Sequence, residues 1–245
     1  MGPLLEARAI SRNFGGVQAL DRVDLTVNAG EVLGLIGPNG AGKTTLFNVI
    51  CGLPPTAGHV LFKGEDITGL APDQICRRGI ARTFQLTRPF AALSVRDNVA
   101  AAVLFGRNPR QIRGLDDARR AADPILSSVQ LDGRKEAPAA DLLFSERRRL
   151  ELARALATGP ELLLLDEVMA GLTVAETQEI VEILSALRRE LSLTVLVIEH
   201  VMKVVMTVCD RIVVLNYGEK LAEGTPDLVA GHRAVIDAYL GVAGA

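Results

Sequence analysis

The chain has 245 residues, enough to bury a substantial core as one large domain or as a core carrying an inserted subdomain. Its 27 Lys+Arg stand against 29 Asp+Glu, its aromatic content is 4% and it has no Trp; this argues against bulk attraction to nucleic acid or anionic lipid and against a base-stacking platform. Cys51, Cys76 and Cys209 are odd in number, far apart and without C-x-x-C spacing, which argues for buried thiols in a reducing compartment and against a disulfide framework or zinc site.

The start, Met1 to Arg8, lacks a signal peptide's long apolar region. Leu4 to Ile10 and Val23 to Val27 alternate partially and read as antiparallel strands. Asn28-Ala29-Gly30-Glu31 turns the chain into the apolar run Val32 to Ile36. Then comes Gly37-Pro38-Asn39-Gly40-Ala41-Gly42-Lys43-Thr44-Thr45, followed by a helical Leu46 to Ile50. This is G-x-x-x-x-G-K-[ST] between strand and helix, the phosphate-binding P-loop. Its glycines let backbone N–H groups converge on an anion, and the helix N-terminus adds a positive dipole end. Lys43 is expected to reach the β- and γ-phosphates of ATP, and the Thr44 hydroxyl to hold Mg²⁺.

After a break at Pro54 to Gly58, His59 to Phe62 and Ile80 to Phe84 read as strands, the second ending at Gln85. Gln85 either offers a carbonyl oxygen to Mg²⁺ or is simply exposed. Residues 86–155 are helical in pattern without good strand candidates. Ser94 caps a helix through Phe105, Asp116 to Leu131 is a helix interrupted by Pro124, and Glu146 to Thr158 is a third. The expected fold is therefore α/β: a P-loop NTPase core with a mixed, mostly parallel sheet and an antiparallel β subdomain. Residues 1–85 and 156–245 make the core, and 86–155 an inserted α-helical subdomain of one 1–245 domain.

The core resumes with Leu162 to Leu165, a run typical of strands covered on both faces, ending in Asp166-Glu167. Open α/β sheets place ligands beyond such strand ends. On an extended chain the two carboxylates point apart; Asp166 fits a metal-facing role and Glu167 that of base or water-orienting group. Thr173 caps a helix reaching about Leu191, Thr194 to Ile198 is a buried strand closed by Glu199-His200, and Arg211 to Leu215 is another. Short helices follow from Thr225-Pro226 and from Arg233 to Leu240. His200 lies just past a strand end with nothing local to separate a ligand from a surface residue; His59 and His232 lack even that context. No apolar stretch is long enough to cross a bilayer, because Glu199, His200 and Lys203 interrupt Thr194 to Leu215. A soluble protein, held at any membrane by a partner, is expected.

A P-loop, a Gln after a strand, a helical insertion, an acidic strand end and a strand-terminal His in this order resemble the nucleotide-binding subunit of ABC transporters over nearly the whole chain. The resemblance implies that Phe14 stacks on adenine with Val17 as a further nucleotide contact. It implies that Gln85 contacts Mg²⁺ and couples to the membrane subunit, that Glu167 is the catalytic base, and that His200 contacts the γ-phosphate. A finer likeness is to ATP-binding subunits of branched-chain amino acid importers, carried by Arg82-Thr83-Phe84-Gln85, Glu199 to Met206 and Val235 to Gly241; importers for urea, amides or other small solutes share such features. Implied partners are integral-membrane permease subunits, a second ATPase subunit (identical or related) and, indirectly, a solute-binding protein. No nucleic acid is implied. The implied location is cytoplasmic, peripheral on the inner face of the cell membrane.

Three departures from the family pattern stand out. Leu142-Leu143-Phe144-Ser145-Glu146 replaces the usual Leu-Ser-Gly-Gly-Gln signature, which completes the nucleotide site of the partner subunit. Leu143 cannot donate the family serine's hydrogen bond; Ser145, as an N-cap, is expected to keep its own proton for a γ-phosphate oxygen in trans. Val168 stands where Pro is usual, and Ala170 to Thr173 lacks the usual Asp. Arg147-Arg148-Arg149 reads as a solvated helix face. Two readings follow: an ATP-hydrolysing motor of an importer, or a nucleotide-dependent switch that dimerises but hydrolyses weakly. A soluble DNA-repair or translation ATPase is disfavoured by the balanced charge and the lack of a long coiled-coil insertion.

Overall fold

The computed structural model describes residues 2–83, 89–107 and 112–240. The chain packs as two compact units, Met1–Ile75 with Thr194–Ala245, and Cys76–Leu193.

In the first unit, β1 (Leu5–Phe14) and β2 (Val17–Val27) form one hairpin, longer than the two short strands read from the sequence, because Gly15-Gly16 makes a two-residue turn and pairs Phe14 with Val17. With β4 (Ala57–Phe62) and β5 (Glu65–Asp66) they make an antiparallel sheet ordered β2-β1-β4-β5. A second group contains β3 (Val32–Ile36), β8 (Thr194–Ile198), β9 (Arg211–Asn216) and β10 (Glu219–Gly224), in the order β10-β9-β3-β8. Here β3 runs parallel to both neighbours and β10 antiparallel to β9. All five residues of β3 and of β8 are buried, as continuous apolar runs in parallel strands require. Gly34 in β3 lets α7 (Met202–Val208) approach: a Cβ there would lie 3.0 Å from Cys209 Sγ and 3.3 Å from Val205 Cγ1. The unit is completed by α1 (Lys43–Ile50), α8 (Pro226–Ala230) and α9 (Arg233–Leu240).

In the second unit, β6 (Ile80–Arg82) pairs in parallel with β7 (Leu162–Asp166), whose five residues are all buried. The other elements are α3 (Val95–Phe105), α4 (Leu115–Ser128), α5 (Phe144–Ala157) and α6 (Val174–Leu191), plus short 3-10 turns at Asp132–Arg134 and Ala139–Asp141. The remaining helix, α2 (Pro72–Arg78), contains the 75/76 border. That border and the one at 193/194 differ from the 85/86 and 155/156 borders of the sequence reading, because β6 and β7 pair with each other and α5 packs on β6.

Ser94 caps α3 as expected, its Oγ accepting from Asp97 N–H at 3.0 Å. Pro124 does not interrupt α4: it removes one helical hydrogen bond, while the buried stripe Ala118, Ala122 and Leu126 holds the helix to its neighbours. The helix ends at Ser128 rather than Leu131. Phe84, Gln85, Asn108 and Pro109 lie outside the described residues.

Candidate functional site

The loop after β3 is built to receive an anion. Gly42 precedes α1 with φ 100, no side chain caps the helix, and its first turn carries no acidic residue. The first-turn N–H groups therefore face outward with the dipole's positive end. Two glycines are required by close approach as well as by backbone sign. A Cβ on Gly37 (φ +150) would lie 2.1 Å from the Leu215 carbonyl oxygen, and one on Gly42 2.7 Å from that of Ala19. Lys43 is 6% exposed, and its ammonium donates to the carbonyls of Gly37 at 2.7 Å and Pro38 at 2.9 Å, which holds the charge inside the loop. Asn39, Gly40 and Thr44 are exposed, Ala41 is buried, and Thr45 lies between. The Gly37 N–H donates to the Tyr239 hydroxyl, so α9 braces the entry to the loop.

The same unit carries the other residues implied for the base and the γ-phosphate. Phe14 and Val17, 46% and 68% exposed, flank the hairpin turn, and one face of Phe14 is covered by Arg12, whose guanidinium carbon lies 4.7 Å from the ring centroid. Arg12 is anchored in turn on the Pro54 carbonyl at 2.8 Å. The ring is otherwise half exposed, so a flat ligand can reach it. His200, exposed, stands just past β8, separated from its last residue by the buried Glu199. Because β8 lies parallel beside β3, with Leu35 opposite Ile198, His200 and the P-loop leave the sheet at the same carboxyl edge.

In the second unit Asp166 ends β7 at 1% exposure. Its Oδ2 accepts from Arg82 Nη2 at 2.6 Å, and its Oδ1 has no hydrogen-bond partner among the described residues. A buried, hard carboxylate oxygen of this kind suits a divalent cation. Among the described residues no group of three or more His, Cys, Asp or Glu is placed to hold a metal, so such a cation would need oxygens from its own nucleotide or from water. Glu167, partly buried, does not continue the extended chain as expected: its φ is 51. The carboxylates are separated by this left-handed turn rather than by strand alternation, a conformation that costs a bulky residue about 1 kcal/mol.

The signature segment also departs from expectation. Leu143, not Ser145, is the N-cap of α5. Leu143 has no side-chain acceptor, so only half a capping box forms, with Glu146 Oε2 accepting from the Leu143 N–H at 2.8 Å. Ser145 is 8% exposed inside the first turn, and its hydroxyl donates to Glu176. The arginine run is a solvated face only in part: Arg147 is exposed, Arg148 is buried and Arg149 lies between. Arg147 donates to the carbonyls of Leu142 and Ala140, and Arg148 is 6% exposed above Phe144 and 3.7 Å from Glu151. Arg149 lies 3.8 Å from Glu179. Gly171 (φ +82) comes close to Phe144: a Cβ would lie 3.2 Å from its ring.

In the sequence Arg82, Thr83 and Tyr239 stand out only within the runs that carry the finer likeness, with no role of their own. Their one signal is position, Arg82 ending β6 and Thr83 following it, beside the end of β7.

A P-loop on a parallel strand, a strand-terminal His on its neighbour and an acidic strand end define an ATP-binding cassette. Residues 20–170 match the ABC transporter family model, and the chain belongs to that family of transporter ATPases. Residues 219–245 match the model of the branched-chain amino acid ATP-binding cassette transporter. The chain is 40% identical to the high-affinity branched-chain amino acid transport ATP-binding protein LivG of Escherichia coli K12 over 252 residues, covering 98% of this chain and 99% of LivG. It is equally similar to BraF of Pseudomonas aeruginosa, at 40% with the same coverage. It is 34% identical to the lipopolysaccharide export system ATP-binding protein LptB of E. coli K12, over 97% of each. Among solved structures, the ADP conformation of the ATP-binding cassette MJ1267 matches with a TM-score of 0.86 at 30% identity, covering 98% of this chain and 100% of that one. The dimeric MJ0796 bound to ADP and Pi matches at 0.81 and 26%, covering 91% and 98%.

Proposed function

We propose that this ATPase subunit drives a branched-chain amino acid importer, binding Mg-ATP through the P-loop and hydrolysing it with Glu167. The observation that carries the nucleotide half is the uncapped start of α1 with the Lys43 ammonium held beside it. Lys43 and the N–H groups of the loop bind the phosphates, Phe14 and Val17 take the adenine, and Thr44, Asp166 and Gln85 hold the cation. Magnesium, when bound, offsets charge developing on the phosphates. Glu167 accepts the proton of the attacking water, and His200 donates to the γ-phosphate.

The amino-acid half is supported by the match at residues 219–245 and by the likeness to LivG and BraF. The likeness to LptB, from an export system, shows that overall identity separates solutes poorly, so the C-terminal match carries more weight. Dimeric relatives support a pair of ATPase subunits; in our reading the pair is head-to-tail, with Ser145 toward the partner's nucleotide. Among the described residues no helix is long and apolar enough to cross a membrane; permease subunits would hold the pair at the inner face, fed by a solute-binding protein.

The engagement of Ser145 with Glu176, together with Leu143, favours a second reading in which ATP closes the dimer but hydrolysis is slow. Steady-state ATPase measured with the permease present separates the two. The motor reading expects turnover lost in Glu167→Gln and in Lys43→Ala, with ATP-induced dimers kept only in Glu167→Gln. Wild-type turnover equal to that of Glu167→Gln selects the switch.

A further inference from the structure

The end of β6 grips the end of β7 in two ways. Thr83, 1% exposed, fixes the backbone: its Oγ1 accepts from the Asp166 N–H at 3.2 Å, and its own N–H donates to the Leu164 carbonyl at 3.0 Å. Arg82 fixes the side chain, its Nη2 lying 2.6 Å from Asp166 Oδ2 with the two side chains 12% and 1% exposed. The parallel register, Arg82 opposite Leu164, brings both groups to the carboxyl edge of the pair.

Burying a carboxylate is costly unless a cationic partner offsets its lost hydration. Here that partner belongs to the protein and takes one oxygen only, leaving Oδ1 directed elsewhere. A divalent cation arriving at Oδ1 meets a carboxylate whose charge is already neutralised, and it meets the guanidinium as a like charge in a site of low dielectric. Both effects weaken the metal.

We propose that Arg82 competes with the divalent metal for Asp166 and so lowers the metal's affinity. The proposal rests on the reading of Asp166 as metal-facing and adds to it a residue that sets the metal's affinity. Arg82 acts here as a positioning residue: it touches the ligand of the metal, not the metal.

The test is a Mn²⁺ titration followed by electron paramagnetic resonance, on the full chain saturated with ADP, so that no turnover is involved. Arg82→Gln is expected to tighten Mn²⁺ binding about tenfold, and Arg82→Lys, which keeps the charge, to stay within about threefold of wild type. Unchanged or weaker Mn²⁺ binding in Arg82→Gln overturns the proposal, weaker binding showing that Arg82 only shapes Asp166. Should the glutamine variant melt early in EDTA, Arg82→Met keeps the packed stem; the same tightening is expected, and its absence is equally fatal. Asp166→Asn separates the underlying reading. If it leaves Mn²⁺ affinity unchanged, Asp166 does not face the metal and both ideas fall; if it weakens Mn²⁺ while Arg82→Gln changes nothing, only the competition falls.

Discussion

The hydroxyl of Ser145 donates to the carboxylate of Glu176, which ties the first turn of α5 to the first turn of α6. The same carboxylate accepts from the Thr173 N–H at 2.9 Å and from the Thr173 hydroxyl at 2.8 Å. The proton that a signature serine would offer to a partner's phosphate is thus engaged within its own chain.

Ser145→Ala is accordingly expected to change ATPase turnover of the assembled transporter less than about threefold, the effect of removing a donor that is already occupied. Leu143→Ser, which restores a hydroxyl at an exposed position, is expected to raise turnover roughly tenfold to a hundredfold, as one aligned transition-state donor can. Steady-state phosphate release checks both.

Thr173 and Glu176 form a full capping box at the start of α6. Thr173→Ala is expected to cost about 1 kcal/mol in urea unfolding. Glu176 is held below its ordinary 4.5, first by the Thr173 N–H and then by the Ser145 hydroxyl. A carboxyl depressed in the folded state stabilises above its unfolded value and loses that contribution as pH falls through its folded one. The difference between wild type and Glu176→Gln should therefore shrink as pH drops below about 4.5, measured by urea midpoints at each pH.

Burial pushes the Cys209 thiol up to about 12 from 9.0, with Asp210 and Glu199 adding to the shift. Between those values the unfolded thiol ionises and the folded one does not, so folding loses up to about 1.4 kcal/mol per pH unit as pH rises. Cys209→Ala should remove that slope, read as the difference in unfolding free energy between pH 8 and pH 10. Cys209 in the native protein should also resist iodoacetamide at pH 8.

Gly37 and Gly40 separate two requirements of the P-loop. Both have positive φ, +150 and +79, but a Cβ on Gly40 meets nothing within 4 Å, whereas one on Gly37 would overlap the Leu215 carbonyl. Gly40→Ala should cost about 1 kcal/mol from backbone sign alone. Gly37→Ala should cost several kcal/mol or prevent folding, because β9 would have to move. Chemical unfolding of both variants checks the contrast.

Much of the site was legible because its signals are local. Lys43 and Thr44 follow a glycine loop between an apolar strand and a helix, and Asp166 ends a run of four leucines. The elements missed are weakly patterned. β10 reads Glu-Lys-Leu-Ala-Glu-Gly with only half-buried apolar positions, and α2 and α7 are seven residues each, too short for a helical period to declare itself. Pro124 reads as an interruption by propensity alone, which the buried stripe of α4 overrides.

Sequence alone determined the class of chemistry: a phosphate cradle, an acidic strand end and a strand-terminal histidine, each set by neighbours along the chain. Only the tertiary structure decided how those groups are held. Arg82 on Asp166, Tyr239 under Gly37 and Ser145 on Glu176 join residues distant in the chain. Their pairing follows from strand register and helix packing, which fix distance and burial, and those quantities set whether a charge, a donor or a proton remains available to a ligand.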